Sequence, residues 1–193
     1  MTLTNRHALA ILAALAALMA LTRIHHFGPL PDASWAVFFA GGFYLRGRAR
    51  WALPLLLVEA VLIDYVATQR LGVSSYCITP SYWAIVPAYA ALWLGGDWLR
   101  RAHRGEARDL LRLAGAAFVA ISVCFVLTNG AFYWLGGRYP DPNWAQYVER
   151  FFAYYGDFLQ VPAAYLAVGA ALHLVAARVL PSLFAAAPAR HDD

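Results

Sequence analysis

Long apolar runs separated by short segments rich in arginine, glycine or proline dominate the chain. A helix needs about 20 apolar residues to cross the hydrocarbon core of a bilayer. The pattern predicts six such helices in one transmembrane domain that covers residues 1–193. Their approximate bounds are 7–24, 33–45, 51–69, 81–99, 109–135 and 153–180, with an outer amphipathic segment at 144–152 before the last. The predicted fold class is an all-α polytopic membrane protein.

The composition supports this class and excludes others. Of the 193 residues, 62% are hydrophobic and 13% are charged, whereas a soluble domain carries about 25% charged residues. The net charge of +4 could suggest nucleic acid as a partner. However, all fifteen basic residues are arginines, and most lie in the short segments between apolar runs, which is typical of topology signals. We therefore expect the lipid bilayer as a partner and no nucleic acid.

The positions of the arginines predict the orientation of the helices. With both termini inside the cell, eleven arginines lie inside and four lie outside, and the reverse orientation inverts this bias. The first apolar run lacks a small-residue cleavage site, so we interpret it as a spanning helix and not a signal peptide. An N-in, C-in arrangement puts three features on the outer face: His25-His26, the loop around Cys77, and the segment 144–152.

One acid lies where a membrane helix does not tolerate charge without a reason. Asp64 is about five residues from the outer end of the third helix, or roughly 7–8 Å deep at the helical rise. Such a group costs about 2.5–3.5 kcal/mol by insertion scales. Thr68 is one turn above it on the same face. Asp64 therefore either lines an outward-facing polar cavity or acts as a buried hydrogen-bond acceptor. Glu59, nearer the midplane and on another side of the helix, is interpreted as structural.

The segment 144–152 has two faces. Aromatic and apolar residues recur at helical spacing on one face, and Arg150 lies on the other, polar face. It is either an interfacial helix with its aromatics among the lipid headgroups or a wall of the ligand cavity. In the second case Arg150 donates to a carbonyl or phosphate oxygen.

The loop before the fourth helix contains Cys77, one of only two cysteines. Tyr76 and Tyr82 flank it, and Tyr82 follows Pro80 at the mouth of the helix, where its hydroxyl can reach a ligand. Cys124 lies among apolar residues of the fifth helix and is predicted to be a small buried hydrophobe. No recognised catalytic motif or nucleotide-binding loop occurs in the chain.

Three stretches carry a family resemblance: SWAVFFAGGF at 34–43, DY at 64–65 and YCITPSYW at 76–83. They resemble the BtuM family, small bacterial inner-membrane proteins that bind and are predicted to transport cobalamin. The six short helices, the alanine-rich first helix and the loops after the first and third helices resemble the S-components of energy-coupling-factor vitamin transporters. The resemblance covers essentially the whole chain and implies an S-component-like bundle in the bacterial inner membrane.

The resemblance also implies roles for individual residues. Cys77 would be the axial ligand of the corrinoid cobalt, and Asp64, Tyr82 and Arg150 would contact the corrin amides or support the loop. Tyr76 and Thr68, beside these residues, complete the predicted binding set. A soft thiolate suits a polarisable metal centre, and coordination favours loss of the thiol proton. Sulfur ligation weakens retention of cyanide, so Cys77 could also act in decyanation of cyanocobalamin.

The first helix carries small residues at spacings of four, which in lipid allow close approach of another helix. The resemblance implies a surface that docks a shared transmembrane coupling partner, and the alternative is packing within the bundle. The residues of this alanine stripe are Ala10, Ala13, Ala14, Ala16, Ala17 and Ala20.

Two other functions remain open from the residues. One is a membrane enzyme that uses the Cys77 thiol as nucleophile or redox centre, although no base or resolving cysteine lies at recognisable spacing. The other is a transition-metal importer that uses Cys77 with His25 and His26, or a structural subunit with no ligand.

Overall fold

The computed structural model describes residues 5–24, 30–76 and 78–179. This part of the chain confirms the helical class and contains six α-helices, with a short 3-10 helix (Pro80–Ala84) before the fourth. The α-helices are α1 (Asn5–Arg23), α2 (Ser34–Tyr44), α3 (Ala49–Arg70), α4 (Ile85–Ala102), α5 (Arg108–Leu135) and α6 (Trp144–Val179). Three residues of the sequence-based site hypotheses lie outside the described residues: His25, His26 and Cys77.

Successive helices run in alternate directions, so the bundle has two ends. At one, which we call the Asp64 end, Arg23 at the close of α1 meets Ser34 at the start of α2 and Asp64 near the close of α3. At the other, the His103 end, His103 after α4 lies beside His173 near the close of α6. The candidate site and the cavity described below lie at opposite ends.

The short helix α2 lies at the centre of the bundle, and most of its residues are buried. Its 11 residues measure only about 16 Å at the helical rise. It crosses α4 at a contact made by two pairs of adjacent glycines. A Cβ atom on Gly42 would lie 1.9 Å from the Trp93 carbonyl oxygen, and one on Gly96 would lie 1.9 Å from the Phe39 carbonyl oxygen. The two backbones touch, and no larger residue fits at either position.

Four helices are long and apolar enough to cross a membrane: α1, α3, α5 and α6. Many of their large apolar side chains are exposed on the outside of the bundle, such as Leu62, Leu111 and Leu172. In water this much exposed apolar surface would favour association, whereas a bilayer would cover it.

The last helix differs from the sequence-based prediction, which separated an outer segment at 144–152 from a span at 153–180. In the structure Trp144–Val179 is one continuous helix of 36 residues. No glycine or proline interrupts the chain between Trp144 and Tyr155, and Tyr147, Phe151 and Tyr155 continue along one face against α5. Part of the aromatic face of that segment, Tyr147 and Phe151, packs against α5 as part of the same helix. Residue 180 lies outside the described residues.

Candidate functional site at the Asp64 end

A buried ion pair between Arg23 and Asp64 is the centre of this end of the bundle. The Arg23 Nε atom donates to Asp64 Oδ1 at 2.8 Å, and Nη2 donates to Oδ2 at 2.7 Å. This bidentate arrangement is the strongest geometry available to a guanidinium and a carboxylate. Arg23 is 5% exposed and Asp64 is 4% exposed. The pair joins the last residue of α1 to α3.

The remaining guanidinium nitrogen holds the start of α2 and the first part of α4. Arg23 Nη1 lies within hydrogen-bond distance of Asp32 Oδ2 at 2.9 Å, Ser34 Oγ at 3.0 Å and the Tyr89 hydroxyl at 3.0 Å. Asp32 also accepts from the backbone N–H of Ser34 at 2.9 Å and from its hydroxyl at 2.6 Å. Asp32 therefore accepts a hydrogen bond from the first backbone N–H of α2 and serves as a second carboxylate for Arg23.

Tyr82 connects this cluster to the segment that follows Cys77. Its hydroxyl donates to Asp64 Oδ2 at 2.5 Å, and the Thr79 and Ser81 hydroxyls lie 2.7 Å apart one turn earlier. Thr79 and Ser81 are both buried. The chain from position 79 to the start of α4 is thus fixed to the Asp64 carboxylate.

These contacts define what Asp64 does in the fold. Arg23 binds both of its carboxylate oxygens, and Tyr82 adds a third hydrogen bond. This is the arrangement of the buried hydrogen-bond acceptor, the second of the two interpretations that the sequence allowed. Thr68 contributes no side-chain contact to the carboxylate in the structure. Its hydroxyl donates to the Asp64 backbone carbonyl at 2.8 Å, within α3.

Arg150 belongs to a different cluster, formed by aromatic rings. Its guanidinium lies 5.5 Å from the ring centre of Phe132, 5.4 Å from that of Tyr139 and 4.7 Å from that of Tyr154. The Arg150 Nε atom is buried without a hydrogen-bond partner among the described residues. A buried donor of this kind is able to bind an oxygen atom supplied by a ligand.

Tyr139 lies in the loop between α5 and α6, and its ring belongs to the aromatic cluster around Arg150. Burial raises the pKa of Tyr139 above its ordinary value, and the positive charge of Arg150 opposes the shift without cancelling it. The phenol therefore stays neutral at physiological pH and can donate a hydrogen bond to an acceptor beside Arg150.

Tyr76 connects the Arg150 cluster to the segment that precedes Cys77. Its ring lies 5.6 Å from the ring of Phe132, which also contacts Arg150. Arg138 stacks on the Tyr76 ring at 4.8 Å and donates to the Tyr76 carbonyl oxygen at 3.1 Å. The residue immediately before position 77 is therefore held against the end of α5.

The structure thus separates the predicted site residues into two groups that flank position 77. Asp64 and Tyr82 belong to the buried Arg23 cluster, while Tyr76 and Arg150 both contact Phe132. Arg23 is the central residue of this cluster, and the sequence interpretation did not single it out. A carboxylate within a membrane helix is usually paired with another polar or charged group at similar depth. The position of Asp64 was therefore the signal that a cation such as Arg23 lies beside it.

The chain was compared with protein-family models and with curated proteins, and neither comparison gives a match.

Proposed function

We propose that this protein is a multi-pass protein of the bacterial inner membrane that binds cobalamin and takes it up, with Cys77 as the axial ligand of cobalt. The observation that carries the proposal is the anchoring of both flanks of Cys77. Tyr76 on one side is bound by Arg138 and Phe132, and Tyr82 on the other is bound by Asp64. Two fixed flanks would limit the positions available to a thiol ligand and lower the entropy lost on coordination.

The chemistry of the surrounding groups supports a large ligand that is rich in amides. Arg150 and Tyr139 supply donors for amide carbonyl oxygens, and the aromatic rings around them supply apolar surface. Asp64, Tyr82 and Thr68 would support the loop instead of touching the ligand, because their polar atoms already bind within the protein. Tyr76 is 52% exposed and is available for contact with the ligand.

The ligation itself follows from the softness of sulfur. A thiolate binds a polarisable metal ion strongly, and binding to the metal releases the thiol proton. In cyanocobalamin the thiolate would take the axial position of cyanide, which leaves as the anion and is protonated by water. Decyanation would therefore accompany binding.

The distribution of charge supports the proposed six spans with both termini inside. Among the described residues the His103 end carries ten arginines, whereas the Asp64 end carries four (Arg23, Arg70, Arg138 and Arg150), of which Arg23 is buried and paired. This asymmetry favours the His103 end as the cytoplasmic side. The ten arginines of the His103 end are Arg6, Arg46, Arg48, Arg50, Arg100, Arg101, Arg104, Arg108, Arg112 and Arg178.

The exposure of α1 supports a coupling partner in the membrane. Ala10, Ala13, Ala14 and Ala17 are exposed, so this part of the alanine stripe is available to a partner helix. Glu59 lines the adjacent groove between α1 and α3. Among the described residues it has no ion-pair partner, and a partner helix that supplies a donor would satisfy it.

Retention of cobalamin tests the proposal. The wild-type protein, purified after incubation with cyanocobalamin, should retain about one equivalent, and Cys77→Ala should retain several-fold less. Cys124→Ala is the matched control, because Cys124 is buried within α5 and should bind as the wild type does. Uptake of labelled cobalamin by cells that lack their own importer should follow the same order. Equal retention by the Cys77→Ala protein would disprove the role of the thiol.

The alternatives make different predictions in the same experiment. A thiol enzyme would lose its reaction on Cys77→Ala without binding any corrinoid. A transition-metal importer would bind a bare divalent metal ion through Cys77, His25 and His26 and would ignore cobalamin. No observation on the described residues favours either.

A further inference from the structure

A cavity of about 370 Å³ opens at the His103 end, between α2, α4, α5 and α6. Its walls are mainly apolar and include Phe39, Phe43, Leu110, Leu113, Leu166 and Leu174. The cavity lies at the opposite end of the bundle from Asp64 and Tyr82. The cobalamin proposal does not use it.

α5 and α6 contact each other closely near the Asp64 end and line the cavity near the His103 end. Near the Asp64 end they are joined by Phe125, Phe151 and Tyr155, and the Ser122 and Tyr155 hydroxyls lie 2.6 Å apart. Further along, a Cβ atom on Gly169, which lines the cavity, would meet nothing within 4 Å. The two helices therefore leave an apolar cleft that their own side chains do not fill.

Polar groups lie at the mouth of this cleft. The Tyr44 hydroxyl and His173 Nδ1 are 2.9 Å apart, and the rings of His103 and His173 are 5.9 Å apart. The Arg100 guanidinium lies 5.4 Å from the ring centre of Phe43, which lines the cleft. The mouth thus brings one arginine and two imidazoles next to apolar walls.

The acids near the mouth are already neutralised. Asp109 accepts from Arg112 at 2.6 Å, lies 3.0 Å from His103 Nδ1 and caps three backbone N–H groups of the preceding loop. Glu106 lies 3.6 Å from Arg112. Arg100, Arg104 and Arg108 have no carboxylate partner in the part of the chain that the structure describes. The net charge available to a ligand at the mouth is positive.

We propose that this cleft binds one anionic phospholipid, with an acyl chain against the apolar walls and the phosphate at the mouth beside Arg100 and the two histidines. Basic pockets between membrane helices on the cytoplasmic side are suited to anionic headgroups. The apolar walls would contact an acyl chain. The arginines that have no carboxylate partner among the described residues would bind a negatively charged headgroup. The inference rests on the proposed membrane location and the proposed cytoplasmic orientation of the His103 end, and it is independent of cobalamin.

Native mass spectrometry of the full-length protein tests the site. The protein, purified in detergent, is titrated with dioleoylphosphatidylglycerol and, separately, with dioleoylphosphatidylcholine, which has the same chains and no net charge. One phosphatidylglycerol should bind in preference by at least about fivefold. Arg100→Gln should reduce that preference about fivefold, the contribution expected of one basic residue near an anionic lipid.

A matched pair of glycine variants locates the acyl chain. Gly169→Leu places a side chain in the cleft, where Gly169 is part of the wall, and should lower lipid binding by tenfold or more. Gly115→Leu has equal space, lies outside the cleft and should bind as the wild type does. Thermal unfolding of each variant shows whether it is folded. If the Gly169→Leu protein does not fold, the Arg100→Gln protein provides the test.

Three results would overturn the proposal. One is equal binding of the two lipids by the wild-type protein, and another is equal loss of binding in the two glycine variants. The third is binding of inorganic phosphate that competes with the lipid at similar concentration. That result would assign the mouth to a free anion.

Discussion

At the scale of single residues, the buried pair of Arg23 and Asp64 determines how the Asp64 end is built. Two charges removed from solvent are stable only with close geometry and additional hydrogen bonds. Here Asp32, Ser34, Tyr82 and Tyr89 supply those bonds. The cluster joins four helices, so its first role is to fix their ends relative to one another.

Replacement of Arg23 alone should destabilise the protein far more than replacement of both Arg23 and Asp64. Arg23→Met leaves the Asp64 carboxylate buried without its bidentate partner, and we expect a loss of about 3–5 kcal/mol in the free energy of unfolding. The double variant Arg23→Met/Asp64→Leu should recover much of it. Unfolding in detergent by heat or denaturant measures both.

Arg70→Met is the control, because Arg70 is an exposed arginine in the last turn of α3. It should change the free energy of unfolding by less than about 0.5 kcal/mol. Equal effects of Arg23→Met and Arg70→Met would show that the buried pair does not stabilise the protein.

The sequence identifies Asp64 as unusual but does not identify its partner. An acid within an apolar segment can be recognised from its neighbours in the sequence, so Asp64 stands out. The contact with Arg23 spans 41 positions, and nothing in the local sequence of either residue specifies it. The same holds for the contact of Tyr44 with His173 across 129 positions, which depends on how α2 and α6 pack.

At the scale of elements, the crossing of α2 and α4 depends on the absence of side chains. Gly42→Ala or Gly96→Ala would place a methyl group 1.9 Å from a backbone oxygen of the facing helix, and the helices would have to separate. We expect a loss of about 1–3 kcal/mol or more for either variant. Thermal unfolding in detergent measures the loss.

Gly115→Ala provides the comparison for the glycine variants. Its Cβ atom would meet nothing within 4 Å, and alanine is the better helix former by up to about 1 kcal/mol. The Gly115→Ala protein should be as stable as the wild type or more so. A stable Gly42→Ala protein would mean that α2 and α4 do not cross in contact.

The sequence predicts where most helices lie, but it does not show where one long helix is continuous. Helix bounds predicted from apolar runs agree with the structure within a few residues for α1, α2, α3 and α5. The length of the last pattern suggested two segments, whereas the structure has no break at 152/153, because a helix can extend beyond the bilayer. The start of α4 differs as well, since Pro80 begins a 3-10 helix before the α-helix at Ile85.

At the scale of the whole molecule, the charge asymmetry predicts which end faces outwards. A membrane-impermeant maleimide should label Cys77 in intact cells. The described neighbours of Cys77 in the sequence are Tyr76, 52% exposed, and Ile78, 40% exposed. Cys124 is 0% exposed and should not react, so Cys77→Ala should abolish labelling. Labelling of Cys77 only after the membrane is permeabilised would reverse the proposed orientation.

The visible spectrum of the bound corrinoid tests the central claim most directly, because the absorption bands report the axial ligand of cobalt. The wild-type protein loaded with cyanocobalamin should give a spectrum shifted from that of the free vitamin, and the shift should persist in Cys124→Ala. Cys77→Ala should leave any bound vitamin with its free spectrum. A shifted spectrum in the Cys77→Ala protein, or an unshifted one in the wild type, would contradict cobalt ligation by Cys77.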